Sequence, residues 1–364
     1  MDKQNKNNLD KQNREAVTAS ASGGGVLTKR MEVRRRLLDS ALYIILAVMI
    51  IVIIIVEPNF LTTKNFLNIL QQASTRCILA LGVAGMIVLT GTDLSAGRIL
   101  GLCAAVTASM LQSMTYGSRF WPNLPEQNML VPLLLSIVIA TILCAINGFG
   151  VAYLKMHAFI ISLGTQLIAY GLTFYYITEV QEVSRSIGSL DPKFTSLVNG
   201  NLTIAGKDLG IPNLVIYMLI CAIIMYVIWN YTRLGKNMFA IGGNMEAAAV
   251  SGVNVELNIM GVYLVAGVLY GIASFLEAGR IQSVSTQTGL NYDLDAISGC
   301  VIGGVSFNGG VGTIPGVIIG VIILQTINYS LNFLSVNAGY QSMIKGLIII
   351  VAVAIDVRKY IEKK

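Results

Sequence analysis

LVPLLLSIVIATILCAINGFGVAYL, residues 130–154, carries no charged side chain and, as a helix, is long enough to cross the hydrocarbon of a bilayer, which takes about 20 predominantly apolar residues. Working outward, eight further apolar runs read the same way: the stretch between Asp39 and Glu57, then Ile69–Leu89, Ala96–Met114, Phe159–Ile177, Ile211–Trp229, Ile259–Leu276, Pro315–Leu334 and Met343–Ile355. A tenth run, Leu294–Gly304, is about half the length a crossing needs and contains Gly299, Gly303 and Gly304. The fold expected is therefore all-α: a polytopic membrane protein of about 10 transmembrane helices, one of them a half-helix. Composition agrees, with 54% hydrophobic and only 12% charged residues in 364, too little charge for a chain whose main solvent is water.

The net charge of +6 does not form an aromatic-interleaved patch, so nucleic acid is not an expected partner. Lys29, Arg30, Arg34, Arg35 and Arg36 precede the first apolar run, and Arg358, Lys359, Lys363 and Lys364 follow the last. Basic flanks of this kind stay in the cytoplasm, so both termini are expected there and the number of crossings is even. Residues 1–36, polar and with a Gly23–Gly25 run, read as a disordered basic tail and not as a signal peptide, leaving 37–364 as the membrane domain. Cys77, Cys103, Cys144, Cys221 and Cys300 lie in or beside apolar segments without metal-ligand spacing, so neither disulfides nor a metal are expected.

Two short motifs echo each other. GTDLSA, 91–96, follows the Ile69–Leu89 run, and NYDLDA, 291–296, follows the Ile259–Leu276 run. Units five helices apart have opposite orientation, so the echo points to an inverted repeat, whose broken helices commonly mark transport sites. GTDLSAGR also holds Asp93, Ser95 and Arg98; ionised groups at bilayer depth cost about 2.5–3.5 kcal/mol on insertion scales. Either Asp93 N-caps the following helix or it borders a transport path. LEAGRI sets Glu277 and Arg280 at i,i+3, the spacing of a helical ion pair.

Polar stripes mark two helices: Ser162, Gln166, Tyr170 and Phe174 on one, Gln325, Asn328, Tyr329 and Asn332 on another, with Asn147 a similar case on 130–154. Such faces suit either a sugar path, with amides for hydroxyls and rings for the apolar pyranose face, or interhelical hydrogen bonding. The polar segment 232–258 is expected to hold a short helix, MetGluAlaAlaAlaVal, capped by Asn244 and stopped at Gly252. GGVSFNGGVGT, 303–313, lacks the lysine and strand context of a phosphate loop and reads as a tight, closely packed turn. His157 stands alone as a surface residue, and no catalytic constellation is evident, so the chain is not expected to be an enzyme.

GTDLSAGR, the LEAGRI to LDAI stretch, GGVSFNGGVGT and FAIGGNMEAAAVSGVNV together resemble the bacterial monosaccharide permeases of ATP-binding cassette importers, over about Leu37–Tyr360. The ThrAsp and Arg98 of GTDLSAGR resemble the galactose and methyl galactoside branch more than the ribose branch. The resemblance implies a homodimer of ten-helix subunits in the bacterial cytoplasmic membrane, docked to a separate ATPase and fed by an extracytoplasmic sugar-binding protein. ATP and Mg would then sit on the ATPase, with no cofactor on this chain. By the same likeness the loop carries a coupling helix formed by Gly242, Gly243, Asn244, Glu246, Ala247, Ala248, Ala249, Ser251 and Gly252. The alternative read from the residues alone is an ion-coupled secondary sugar transporter with Asp93 or Asp295 as its ion site.

Overall fold

The computed structural model describes residues 57, 60, 62–179, 186–204 and 207–361. The chain parts into two units, 1–52 and 53–364, and the first lies outside the described residues, as do the tail and residues 40–56 of the expected first crossing. The second unit is built of α1 (Thr63–Val88), α2 (Ala96–Met110), α3 (Leu130–Ala152), α4 (Ala158–Thr178), α5 (Pro192–Asn199), β1 (Asn201–Ile204), β2 (Lys207–Pro212), α6 (Asn213–Tyr231), α7 (Arg233–Gly243), α8 (Met245–Val250), α9 (Val255–Ile281), α10 (Tyr292–Ile302), α11 (Ile314–Phe333) and α12 (Ala338–Ile361).

Five of these helices, α3, α4, α6, α9 and α11, are long and apolar enough to cross a membrane. Large apolar side chains stand exposed along α3, α4 and α6, among them Leu134, Ile142, Leu167, Ile168, Ile223 and Ile224. In lipid such groups need no protein partner. Helix α1 is as long but differs in kind: Gln71, Gln72 and Arg76 interrupt its apolar run, and from Ala73 to Val88 every residue is buried. It is the axis of the bundle, running antiparallel to α9, so that Thr75 meets Glu277 and Gly82 lies against Tyr270 and Ala266.

Two parts of the expected architecture need correction. Pure helix does not hold, because Asn201–Ile204 and Lys207–Pro212 pair as an antiparallel hairpin in which Thr203 faces Asp208. This hairpin follows α5, whose N-cap Asp191 accepts from the Lys193 amide at 2.7 Å and whose Phe194 packs on Phe275 at 4.9 Å between ring centroids. Segment 232–258 holds two helices where one was expected. Thr232 accepts from the Gly235 amide at 3.3 Å and starts α7; Asn244 then starts α8 by accepting from the Ala247 amide at 2.9 Å, each oxygen satisfying an otherwise orphaned donor.

Candidate functional site

The site is organised by two helices too short to cross. With 15 and 11 residues, α2 and α10 are about 22 and 16 Å long, against about 30 Å of hydrocarbon. Both begin in the interior. Asp93, just ahead of α2, bonds to Tyr270 near the middle of α9; from there α2 runs to the end of the bundle where Ser109 bonds Tyr176. Helix α10 starts beside the first turn of α2, with Gly97 directly against the Gly289 carbonyl and Asp293. It runs the opposite way and ends at the turn 303–313, where the Gly310 amide donates to the Val88 carbonyl at 2.9 Å. A Cβ at Gly97 would collide with backbone, so the two N-termini meet through glycine. Their orphan amides make this junction electropositive, and Asp93, Asp293 and Asp295, all buried, gather around it. Asp295 also faces Lys345 of α12 at 3.4 Å.

Asp93 does not cap α2. The N-cap is Ser95, without a side-chain cap bond, because the helix starts too late for the carboxylate of Asp93 to reach its first free amides. Instead Asp93 Oδ1 accepts from the Ser95 amide at 2.8 Å and from its hydroxyl, while Oδ2 accepts from Tyr270 at 3.1 Å. Ser95 Oγ in turn accepts from Asn147 Nδ2 at 2.9 Å, and Asn147 Oδ1 accepts from Thr165. This chain joins α9, the α1–α2 loop, α3 and α4. Asn147 and Ser95 are fully buried in it, so Asn147 ties helices together and presents no surface to a path.

A second buried cluster surrounds Glu277, which is wholly inaccessible. The expected Arg280 pair is present as a fork, Nε to Oε2 and Nη2 to Oε1, both 2.8 Å. Arg76 joins it at 3.0 Å, Thr75 donates at 2.7 Å, and Tyr292, the first residue of α10, donates at 2.8 Å while lying under the Arg76 guanidinium. The group carries two cations on one anion and fixes the start of α10 to α1 and α9.

The polar stripes divide. Of the α4 stripe, Ser162 is buried, Gln166 and Tyr170 are half-buried and Phe174 is exposed. Arg98 of α2 lies over the Tyr170 ring at 4.5 Å and donates to the Thr286 carbonyl at 3.1 Å. On α11, Gln325 and Asn328 are buried, and Gln325 Nε2 and Asn328 Oδ1 have no partner among the described residues. Tyr329 bonds Asn65 at 2.8 Å, and exposed Asn332 accepts from Gln341 at 3.0 Å.

In the 232–258 segment, Glu246, Ala247, Ala249 and Ser251 are exposed, and Val250 is 91% exposed. Ala248 instead faces inward, 5% exposed. Gly243 is open on its side-chain face, whereas Gly242 is pressed against the Val88 carbonyl and the Gly310 amide. Gly252 ends α8 at φ 86°. Beside α8 a cavity of about 370 Å³ opens between α1, the α3–α4 turn and α9, lined by Thr90, Lys155, His157, Met245 and Tyr263 among others.

Residues 65–353 match the family described as branched-chain amino acid transport system / permease component. The galactose/methyl galactoside import permease protein MglC of Escherichia coli is 47% identical over 85% of this chain and 90% of its own. Its namesake in Haemophilus influenzae is 46% identical over the same shares, and the ribose import permease protein RbsC of Escherichia coli is 35% identical over 84% of this chain and 89% of its own. No solved structure matches. With a family match across nearly the whole described region and relatives of this identity along most of their length, the chain belongs to the family of permease components of branched-chain amino acid transport systems.

Proposed function

We propose that the chain is the membrane-spanning permease subunit of an ATP-binding cassette importer that moves galactose, methyl galactoside or a related monosaccharide across the bacterial cytoplasmic membrane. The observation that carries this reading is the 47% identity to a galactose/methyl galactoside import permease over 85% of the chain, against 35% to a ribose import permease. In this reading the subunit works as one half of a homodimer of ten-helix chains with both termini in the cytoplasm. ATP and Mg bind a separate ATPase, and an extracytoplasmic sugar-binding protein delivers the cargo.

The end of the bundle bearing Gly242 then faces the cytoplasm, and exposed Ala247, Ala249 and Val250 form the surface offered to the ATPase. The opposed half-helices are the centres of two inverted repeats. Gln166, Tyr170 and Phe174 on α4 and Gln325, Asn328 and Asn332 on α11 are assigned to the path: Gln166 and Tyr170 hold half-buried polar groups on a spanning helix with Phe174 beside them, and the buried pair on α11 holds polar atoms without a partner among the described residues; such polar groups are costly without water, cargo or a second copy to meet them.

Reconstitution with the ATPase and binding protein in liposomes tests this. ATP-dependent accumulation of labelled galactose, absent when any component is omitted, is the expected outcome. Accumulation by this chain alone under a proton or sodium gradient would overturn it in favour of an ion-coupled transporter centred on Asp93, which has no cationic partner among the described residues.

A further inference from the structure

Arg98 occupies a position that structure alone does not repay. It lies in the first turn of α2, where the helix dipole opposes a cation. Since α2 starts near mid-depth, it is also placed where a charge is most expensive. Among the described residues it forms no ion pair: of the carboxylates at the same junction, Asp93 is bonded to Ser95 and Tyr270, Asp295 faces Lys345, and Asp293 lies against Gly97. Yet its guanidinium is not loose. One nitrogen is held by the Thr286 carbonyl and the guanidinium carbon lies over the Tyr170 ring at 4.5 Å, leaving the rest of a rigid five-donor fork without a protein partner among the described residues. The side chain is half-buried, as are Gln166 and Tyr170 beside it, and Phe174 stands one turn on, its ring 6.4 Å from that of Tyr170.

We infer that Arg98, oriented by Tyr170 and Thr286, is a sugar-binding element at the middle of the translocation path. This rests on the sugar-import reading above and deepens it. The donor fork suits two vicinal hydroxyls of a neutral pyranose, and the exposed aromatic surface of Tyr170 and Phe174 suits the apolar face of the same ring. An anionic cargo is disfavoured by Asp93, Asp293 and Asp295 around the junction. A single weak clamp is also what a conduit needs, since a site must hold its cargo long enough to pass it on and still let go.

The test uses the full importer in liposomes and reads sugar delivered per ATP hydrolysed, with labelled galactose on saturating binding protein. Arg98→Lys keeps the charge and loses the planar fork; it is expected to lower the ratio about tenfold, the effect of one lost charged hydrogen bond. Tyr170→Leu is expected to lower it similarly, while Tyr170→Phe, which keeps the ring, stays within about twofold. If Arg98→Lys and Tyr170→Leu both deliver sugar at the wild-type ratio, the clamp is wrong and the importer reading stands. If Arg98→Lys does not insert, Tyr170→Leu against Tyr170→Phe decides alone. Should the wild-type complex hydrolyse ATP and deliver no sugar, both fall together.

Discussion

Replacing Glu277 with Gln is the sharpest probe of how this bundle is held. The carboxylate is wholly buried and receives five donors: Thr75, Tyr292, one nitrogen of Arg76 and two of Arg280. The Arg76 and Arg280 side chains are only 11% and 17% exposed. An amide of the same shape removes the only counter-charge among the described residues and turns two N–H donors toward guanidinium donors. Stripping one partner from a buried pair costs about 3–5 kcal/mol, because the orphaned charge stays desolvated, and here two cations are orphaned. The apparent melting midpoint should fall by on the order of 10 °C. The five free, buried cysteines supply the assay: a thiol-reactive dye reports unfolding of the detergent-solubilised protein as they become exposed. Adding Arg76→Met to Glu277→Gln should recover part of the loss, since the two positions are directly coupled. A Glu277→Gln midpoint within about 2 °C of wild type would refute the reasoning, meaning that water or a second chain already solvates the cations.

Two further outcomes concern the 232–258 segment. Gly242→Ala forces a methyl against the Val88 carbonyl and should cost about 1–3 kcal/mol by overpacking, while Gly243→Ala, with open space around it, should melt like wild type; equal midpoints would show that the contact is not tight. Ala249→Trp, on the exposed face of α8, should leave the melting midpoint within the range of neutral surface changes and still prevent the ATPase from co-purifying; Ala248→Trp, by contrast, should lower the midpoint because Ala248 is packed inward.

What could be read from the chain follows from where its information is local. Apolar runs between polar breaks placed α1–α4, α6 and α9–α12 to within about six residues at each end, because in lipid the burial of backbone and the length of a crossing are one constraint, while the short α5 and α7 lie outside any apolar run and were missed. The Asn244 cap and the turn at 303–313 were legible for the same reason, being decided by neighbours in sequence. Arg76 was not: it sits in an apolar run and its partner is 201 residues away, so nothing nearby reveals the Glu277 cluster. Of the two readings of Asp93, the helix cap fails: the start of α2 was right, but the carboxylate accepts from Ser95 ahead of the helix and from Tyr270, 177 residues on, which nothing local announces. The inward turn of Ala248 escaped notice because three successive alanines look alike until a tertiary contact selects one. The hairpin at 201–212 was overlooked because a strongly helical composition hid a short alternation.

The junction of Gly242, Val88 and Gly310 has a mechanical consequence. Main chain there touches main chain, and no side chain lies between to yield by changing rotamer. A joint of that construction has no backlash. Close-packed interiors pass strain on instead of absorbing it, so a displacement of the C-terminal end of α7, which leads into α8, presses directly on the last turn of α1 and on the turn that ends α10. Two residues' worth of missing Cβ atoms thus convert a surface loop into a stiff linkage, reaching from the face of the bundle to the half-helix that starts at its centre.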